Sequence, residues 1–175
     1  MITLYTAVTL DGYIATTDGS VDFLENPRYQ LPDEDYGYAG FYEGIDVVAM
    51  GYNTYKQVIN FEGEYPYHGK HSVVFSRTDT VEPIAGDIEI TEASEESVIQ
   101  RFKREGKNVW IIGGGATNAR VHQSGLIDRM ILTYLPITLG AGIPLFREND
   151  ASLEWKNTGT RTFANGLVQI TLERR

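Results

Sequence analysis

Three consecutive glycines, Gly113 to Gly115, lie between a short β-prone run and a segment that can open a helix. A strand that leads through glycines into a helix start directs backbone N–H groups and the positive end of the helix dipole at one place. Because glycine has no Cβ, a phosphate can approach its backbone closely. The pattern predicts a phosphate site at the glycines. The alternative is that they only let the helix pack tightly on the strand.

A similar arrangement recurs earlier in the chain, where an apolar strand ends at Gly51 and Asn53 or Thr54 can cap the following helix. A third apolar strand ends at Ser76 and Arg77, which offer a hydroxyl and a guanidinium to an anion. Three strand ends with anion-binding groups indicate an extended ligand that carries several phosphates.

Two named phosphate-binding loops do not match the chain. The dinucleotide fingerprint needs a glycine at position 118, where Asn118 stands, and it normally follows a first strand. A Walker loop needs Gly-Lys followed by serine or threonine, and the sequence has no such motif. Neither loop explains the three glycines.

Short apolar runs separated by helical patterns position these strand ends. The runs have the weak alternation of strands covered on both faces, and they are ITLYTAV (2 to 8), DVVAM (46 to 50), SVVFS (72 to 76) and VWII (109 to 112). The clearest helix is SEESVIQRFKREGKN (94 to 108), which Ser94 can cap and Gly106 can end. A second helix is predicted from Thr117 to Ser124, before Gly125.

The C-terminal part has a different pattern. RMILTYLPI (129 to 137) predicts another strand, and WKNTGTRTF and GLVQITLE flank an Asn165-Gly166 pair, which is a strong hairpin signal. We therefore predict an α/β fold in three layers. A central, mostly parallel sheet carries helices on both faces and ends in an antiparallel C-terminal hairpin.

Length and composition limit the class of protein. With 175 residues the chain is long enough for one domain with a sizeable core. It has no cysteine, which excludes disulfides and thiolate metal sites, and its net charge of −9 argues against a nucleic-acid-binding surface. No apolar run approaches the roughly 20 residues of a transmembrane helix, and no basic residue precedes the apolar N-terminal segment. We expect a cytoplasmic protein without membrane contact.

Five segments, in this order and spacing, resemble the dihydrofolate reductase-like superfamily. The closer match is to stand-alone proteins similar to the C-terminal reductase domain of the bifunctional riboflavin-pathway deaminase–reductase. The resemblance covers nearly the whole chain, and the segments are TLDGYIATTDGSVDFL (9 to 24), IDVVAMGYNTYKQV (45 to 58), VVFSR (73 to 77), VWIIGGGATNARVHQSGLIDRMIL (109 to 132) and PITLGAGIPLF (136 to 146).

The resemblance implies that NADPH binds along the strand ends. It places Ala7 and Ile14 at the nicotinamide, and it makes Ala15 the start of a mobile loop over that ring. It assigns the pyrophosphate to the two helix starts and the glycines before them. The implied cofactor contacts there are Gly51, Asn53, Thr54, Ile112, Gly113, Gly114, Gly115, Ala116 and Thr117.

The same resemblance implies a cis peptide bond at Gly113-Gly114 and a site for the adenosine 2′-phosphate at Ser76 and Arg77. Members of the superfamily usually carry arginine after the glycine at the second strand end, but this chain has Tyr52. Arg77 is then the main charge partner for the 2′-phosphate. Related reductase domains often form dimers, and the β-rich tail could provide the contact for a homodimer.

Two acids are candidates for the catalytic acid or the substrate anchor. Dihydrofolate reductases place one carboxylate on the helix in this part of the chain, and either Glu34 or Asp35 could fill that position. The alternative is that both acids are solvated charges at the start of a helix that opens after Pro32.

The remaining ionisable residues favour structural roles. His68 and His71 lie in a polar loop, and His122 is expected on the surface side of a helix. The three histidines share no spacing that would indicate a metal site, so we expect no metal. Asp11 belongs to an Asp-Gly turn and Asp128 to a strand start.

We interpret the sequence as an NADPH-dependent reductase of a pyrimidine- or pterin-type heterocycle. The nearest named activity is the 5-amino-6-(5-phosphoribosylamino)uracil reductase of riboflavin biosynthesis. Without cysteine the chain cannot supply the cysteine-ligated zinc site of the partner deaminase, so it would perform only the reduction. The alternatives are dihydrofolate reductase and a nucleotide-binding protein without catalysis.

Overall fold

The computed structural model describes residues 1–61, 64–77, 83–84, 87–148 and 150–175. Its strands are β1 (Ile2–Thr9), β2 (Tyr13–Ala15), β3 (Val47–Gly51), β4 (His71–Phe75), β5 (Ile88–Thr91), β6 (Val109–Gly113), β7 (Arg129–Leu135), β8 (Ile143–Pro144), β9 (Trp155–Thr162) and β10 (Val168–Arg174). Its α-helices are α1 (Tyr38–Glu43), α2 (Tyr52–Val58), α3 (Glu95–Arg104) and α4 (Gly115–Gln123). Two short 3-10 helices span Asp22–Glu25 and Pro27–Tyr29.

In the described ranges, eight strands form one sheet in the order β5-β4-β3-β6-β1-β7-β10-β9. The strands from β5 to β7 in this order are parallel, whereas β10 and β9 are antiparallel to their neighbours. The chain turns between β9 and β10 at Gly166, whose φ of 87° favours glycine. The predicted α/β fold, with its mostly parallel sheet and C-terminal hairpin, is confirmed.

Helices cover both faces of the sheet, which confirms the three layers. One buried cluster joins β1 to α3 and α4, through residues such as Leu4, Ile99 and Val121. A second cluster, on the other face, joins Met50 and Trp110 to α2 and the aromatic residues of α1. Within the described ranges, no helix is long and apolar enough to cross a membrane.

The helix that the sequence indicates most clearly has the predicted start. The Ser94 hydroxyl accepts a hydrogen bond from the Ser97 N–H at 3.2 Å, and Gly106 follows the helix with a φ of 72°. The helix ends at Arg104, and Gly106 turns the chain just past it, as the sequence indicates. Helix α4 starts at Gly115 rather than Thr117, so the last of the three glycines is itself helical.

Two predictions about local environment were wrong. No helix opens after Pro32, because Asp33 and Tyr36 adopt positive φ values of 63° and 58° and turn the chain, so α1 starts only at Tyr38. His122 is buried rather than on the surface, because the rings of Phe146 and Trp155 pack against it. The burial of His122 depends on residues that are distant in sequence.

Candidate functional site

A cavity of about 920 Å³ opens at the carboxyl ends of β3, β4 and β6. The strand register explains its position, because Gly51 pairs with Phe75 and Met50 pairs with Gly113, so the three strands end side by side. Nine of the predicted cofactor residues line it, namely Gly51, Asn53, Thr54, Ser76, Arg77, Gly114, Gly115, Ala116 and Thr117. Residues separated in sequence by more than 60 positions therefore share one cavity.

Helix α4 begins at this cavity. Within the described part of the chain, no side chain caps its start, where Gly114 is the residue before the first turn. Uncapped first-turn N–H groups need an acceptor and carry the positive end of the helix dipole. The helix start can thus receive an anion.

Glycine is suited to each of the three positions for a different structural reason. A Cβ at Gly115 would collide with the carbonyl oxygen of Pro144, so this glycine lets β8 pack against the start of α4. Gly113 is buried and has a φ of 121°, which favours glycine. Gly114 is only partly buried, and a Cβ there would face the Thr54 hydroxyl at 3.4 Å on the cavity side. The packing interpretation therefore explains Gly115, whereas Gly114 leaves room for a ligand. The bond between Gly113 and Gly114 is cis, as predicted.

Gly51 shows the same close approach on the neighbouring strand. A Cβ at that position would lie 2.8 Å from the Thr117 hydroxyl. Thr117 is only 3% exposed, but it lines the cavity. Thr54 and Thr117 thus place two hydroxyl groups beside the backbone of Gly51 and Gly114. Hydroxyls and bare backbone at one place suit a phosphate oxygen.

Among the described residues, four basic side chains line the cavity, and the sequence predicted only Arg77 there. The other three are Lys56, Arg120 and Arg147. Arg120 is ion-paired with the buried Glu95 at 2.6 Å. The Arg147 backbone N–H donates to the Gly115 carbonyl at 3.0 Å, which fixes Arg147 beside the start of α4. Its position immediately after the PITLGAGIPLF segment was the only signal that could have found it.

The loop after β2 forms one wall of the cavity through Thr17, Asp18 and Gly19. The Gln57 side-chain amide of α2 donates to the Gly19 carbonyl at 2.6 Å and holds the loop against the helix. The Thr16 hydroxyl donates to the Asp18 carboxylate, and this hydrogen bond is the main cause that lowers the pKa of Asp18. The loop is ordered by its own contacts and by one bond to α2.

Five predicted cofactor residues do not line this cavity. Ala7 packs beside a buried cluster that includes Tyr29 and Leu135, and Ile14 packs against the core on the α3 and α4 side. The other three are Ala15, Ile112 and Gly113. Ala15 is buried, and its carbonyl oxygen lies close to Gly142, where an added Cβ would collide with it. The nicotinamide contacts of Ala7 and Ile14 stay predictions.

The two candidate acids lie away from this cavity. The Asp35 carboxylate accepts hydrogen bonds from the N–H groups of Gly37 and Ala39, each at 2.8 Å, and thereby caps α1. These two hydrogen bonds lower the pKa of Asp35, and the bond from Ala39 has the largest effect. Glu34 accepts from the Tyr36 N–H at 2.8 Å and lies 3.4 Å from an Arg161 guanidinium nitrogen. Asp35 has the structural role of a helix-start charge, and Glu34 retains one weakly engaged oxygen.

A row of side chains that the sequence analysis missed connects β1 to these acids. Ala7 pairs with Thr133, Thr133 with Gln169, and Gln169 with Arg161, so the row crosses four strands on one face. The Gln169 amide donates to the Thr133 hydroxyl and to the Tyr36 carbonyl, both at 3.0 Å. With about 4.8 Å between strands, Arg161 lies roughly 14 Å from Ala7.

Asp11 and Asp128 have structural partners. Asp11 accepts hydrogen bonds from the backbone of Leu139 and Gly140, and Asp128 accepts from the Ile2 N–H at 2.9 Å. In the described part of the chain, no three histidine or acidic side chains are grouped as metal ligands would be.

The family model for the RibD C-terminal domain matches residues 62–169. Among curated proteins, YwjB of Bacillus subtilis (strain 168), which is described as uncharacterized, is 33% identical over 164 residues. That alignment covers 94% of this chain and 92% of YwjB.

Solved structures share the fold. A protein from Shewanella sp. PV-4, whose name provisionally assigns it to riboflavin biosynthesis, superposes with a TM-score of 0.88 at 32% identity, over 99% of this chain and 98% of the other. Dihydrofolate reductase from Enterococcus faecalis, solved with NADP(H) and RAB-propyl, gives a TM-score of 0.70 at 15% identity, over 100% of this chain and 96% of that enzyme. The second likeness shows the fold alone.

Proposed function

The chain belongs to the RibD C-terminal domain family, and we propose on that basis that it is an NADPH-dependent reductase. It transfers a hydride to a small pyrimidine- or pterin-type heterocycle. Its nearest named activity is the reduction of 5-amino-6-(5-phosphoribosylamino)uracil. The proposal is supported by the cavity at the ends of β3, β4 and β6 more than by any other observation.

The residues at that cavity suit a dinucleotide. The uncapped start of α4 and the Thr54 and Thr117 hydroxyls would hold the pyrophosphate, because Gly114 leaves its backbone accessible. Ser76 and Arg77, two strands away from β6, would hold the phosphate on the adenosine. The distance between these groups along the sheet edge is what an extended ligand with separate phosphates needs.

A bound reduced nicotinamide supplies a hydride, and the protein must orient it against a C=N or C=O carbon. In this proposal the ring lies at Ala7, which pairs with Thr133 in the row described above. Thr133 and Gln169 are fixed by their mutual hydrogen bond, so they form a rigid polar floor beside the ring position. Such a floor suits the polar edge of a heterocycle.

Of the two acids, Glu34 is the better candidate for the substrate anchor. Both Asp35 oxygens accept backbone hydrogen bonds, whereas the second Glu34 oxygen has only the 3.4 Å contact to Arg161. A carboxylate in that state can exchange Arg161 for the N–H edge of a heterocycle. The amide of Gln169 and the carbonyl of Tyr36 support the backbone from which Glu34 projects.

One observation favours a second candidate function, a nucleotide-binding protein without catalysis. Neither Glu34 nor Asp35 lines the cavity, and both carboxylates already have partners in the protein. If neither acid reaches the substrate, protonation depends on water.

A coenzyme titration followed by a substrate panel tests the proposal. NADPH binding is followed by quenching of tryptophan fluorescence, and turnover by loss of NADPH absorbance with the ribosylaminouracil phosphate and with dihydrofolate. We expect saturable NADPH binding and oxidation with the ribosylaminouracil phosphate. Binding without oxidation of NADPH by either substrate favours the non-catalytic candidate, and absence of coenzyme binding contradicts both.

A further inference from the structure

We propose that Lys56 is the second cation of the 2′-phosphate site and that it replaces the charge that Tyr52 lacks. This inference rests on the proposed function, because it deepens the assignment of the cavity to NADPH. Lys56 lies on α2, one helical turn after Tyr52, and lines the cavity together with Ser76 and Arg77.

The strand register brings the two segments together. Gly51 at the end of β3 pairs with Phe75 at the end of β4. Tyr52 and Ser76 are the next residues on these adjacent parallel strands, so they leave the sheet side by side. Neighbouring strands are about 4.8 Å apart. Side chains on this face of α2, from Tyr52 to Lys56 one turn later, can therefore meet a ligand held at Ser76 and Arg77.

The side chain of Lys56 is directed by Tyr52. Residues four apart lie on the same face of a helix, and the Lys56 ammonium lies 4.9 Å from the centre of the Tyr52 ring. Both side chains contribute to the cavity wall. Tyr52 thus stands where members of the superfamily usually carry arginine, but its ring supports the Lys56 ammonium one turn further along the same wall.

A phosphate monoester needs more charge than Arg77 alone supplies. It carries about −1.5 to −2 at neutral pH, and the whole chain has a net charge of −9. Of the other two basic residues of the cavity, Arg120 is ion-paired with Glu95. Arg147 is fixed through its backbone N–H beside Gly115 at the start of α4, where the pyrophosphate would bind. Lys56 is the remaining cation on the wall that carries Tyr52.

Binding of adenosine 2′,5′-bisphosphate and of adenosine 5′-phosphate, measured by calorimetry, isolates this site from the nicotinamide and from any reaction. Loss of one charge-assisted contact in Lys56→Met should weaken the bisphosphate about tenfold and the monophosphate less than twofold. Lys56→Met should likewise weaken the binding of NADPH more than the binding of NADH. Lys56→Arg should keep the preference, because it keeps the charge.

Lys70 provides a matched control. Its ammonium lies 4.9 Å from the Tyr42 ring, as Lys56 does from Tyr52, but it does not line the cavity. Lys70→Met changes the net charge equally and should leave the ratio of the two affinities unchanged. In Lys56→Met, the further substitution Tyr52→Arg should restore the lost preference.

The outcomes separate this inference from the reductase proposal. Equal weakening of both nucleotides by Lys56→Met, or a wild type that binds both equally, overturns the role of Lys56, while NADH or NADPH oxidation can still be observed. Conversely, a Lys56-dependent preference for the bisphosphate without any substrate reduction supports the site and contradicts the enzyme.

Discussion

The side-chain amide of Gln57 donates a hydrogen bond to the backbone carbonyl of Gly19, with 2.6 Å between Nε2 and the oxygen. The bond joins α2, which carries Thr54 and Lys56, to the adjacent loop, which also lines the cavity. The Gln57 side chain therefore couples the position of the loop to the position of the helix. Because Gly19 has a φ of 92°, the loop turns there and presents its carbonyl to the helix.

Gln57→Ala should release this loop without unfolding the protein. One neutral hydrogen bond near the surface contributes about 1 kcal/mol, so the global stability should change little. We expect faster hydrogen exchange in residues 16 to 20 and faster dissociation of NADPH, measured by mass spectrometry and by stopped-flow displacement. Gln123→Ala, which removes a 3.4 Å amide-to-carbonyl bond to Glu148 between two residues that do not line the cavity, is the control. Equal exchange in both variants would show that the Gly19 contact does not hold the loop.

Gly115 and Gly114 should respond differently to alanine. Gly115→Ala forces a methyl group into the Pro144 carbonyl and should lower the free energy of unfolding by about 1 to 3 kcal/mol. Gly114→Ala meets only the Thr54 hydroxyl at 3.4 Å, so it should remain folded and lose affinity for NADPH. Urea unfolding and coenzyme titration distinguish the two effects. Gly40→Ala, in open space within α1, should be neutral or stabilising by up to about 1 kcal/mol, and a similar loss at Gly40 and Gly115 would contradict the packing role.

Local signals were sufficient for much of the fold. The apolar runs predict β1, β3, β4 and β6, because each is short, β-prone and followed by glycine or polar residues. The Asn165-Gly166 pair predicts the terminal hairpin, because the turn requires a positive φ that these residues tolerate. In both cases the information lies within about ten residues of the element that it determines.

The rest depends on contacts between distant segments. β2 and β8 pair across more than 120 residues, and each is too short to have a periodic pattern. The burial of His122 depends on Trp155, and the placement of Lys56 and Arg147 in the cavity depends on how α2 and β8 meet the glycines. The glycine pattern located the cavity, but it did not reveal which cations surround it.

Asp35 should make folding stability depend on pH at the acid end. Hydrogen bonds from Ala39 and Gly37 lower its folded-state pKa below the unfolded value of about 3.9. A lowered pKa stabilises the folded state above the unfolded pKa, and the contribution is lost as pH falls through the folded pKa. Asp35→Ala should therefore be less stable than wild type at pH 6, with the difference shrinking below about pH 4. Urea midpoints across this range test it. A difference that is independent of pH would mean that the carboxylate charge does not contribute.

Glu34→Gln should distinguish a substrate anchor from a structural residue. If the Glu34 oxygen that contacts Arg161 binds the N–H edge of the heterocycle instead, loss of the charge should lower kcat/KM by about 10- to 100-fold, because a charged hydrogen bond contributes about 1.5 to 3 kcal/mol. The affinity for NADPH should stay the same, since Glu34 does not line the coenzyme cavity. Arg161→Ala removes the partner 3.4 Å away but keeps the carboxylate, so it should reduce turnover far less. Steady-state kinetics with the ribosylaminouracil phosphate and coenzyme titration provide the two readouts. Equal kinetic losses in both variants would indicate that the ion pair only supports the fold around Tyr36, to whose N–H Glu34 is bonded.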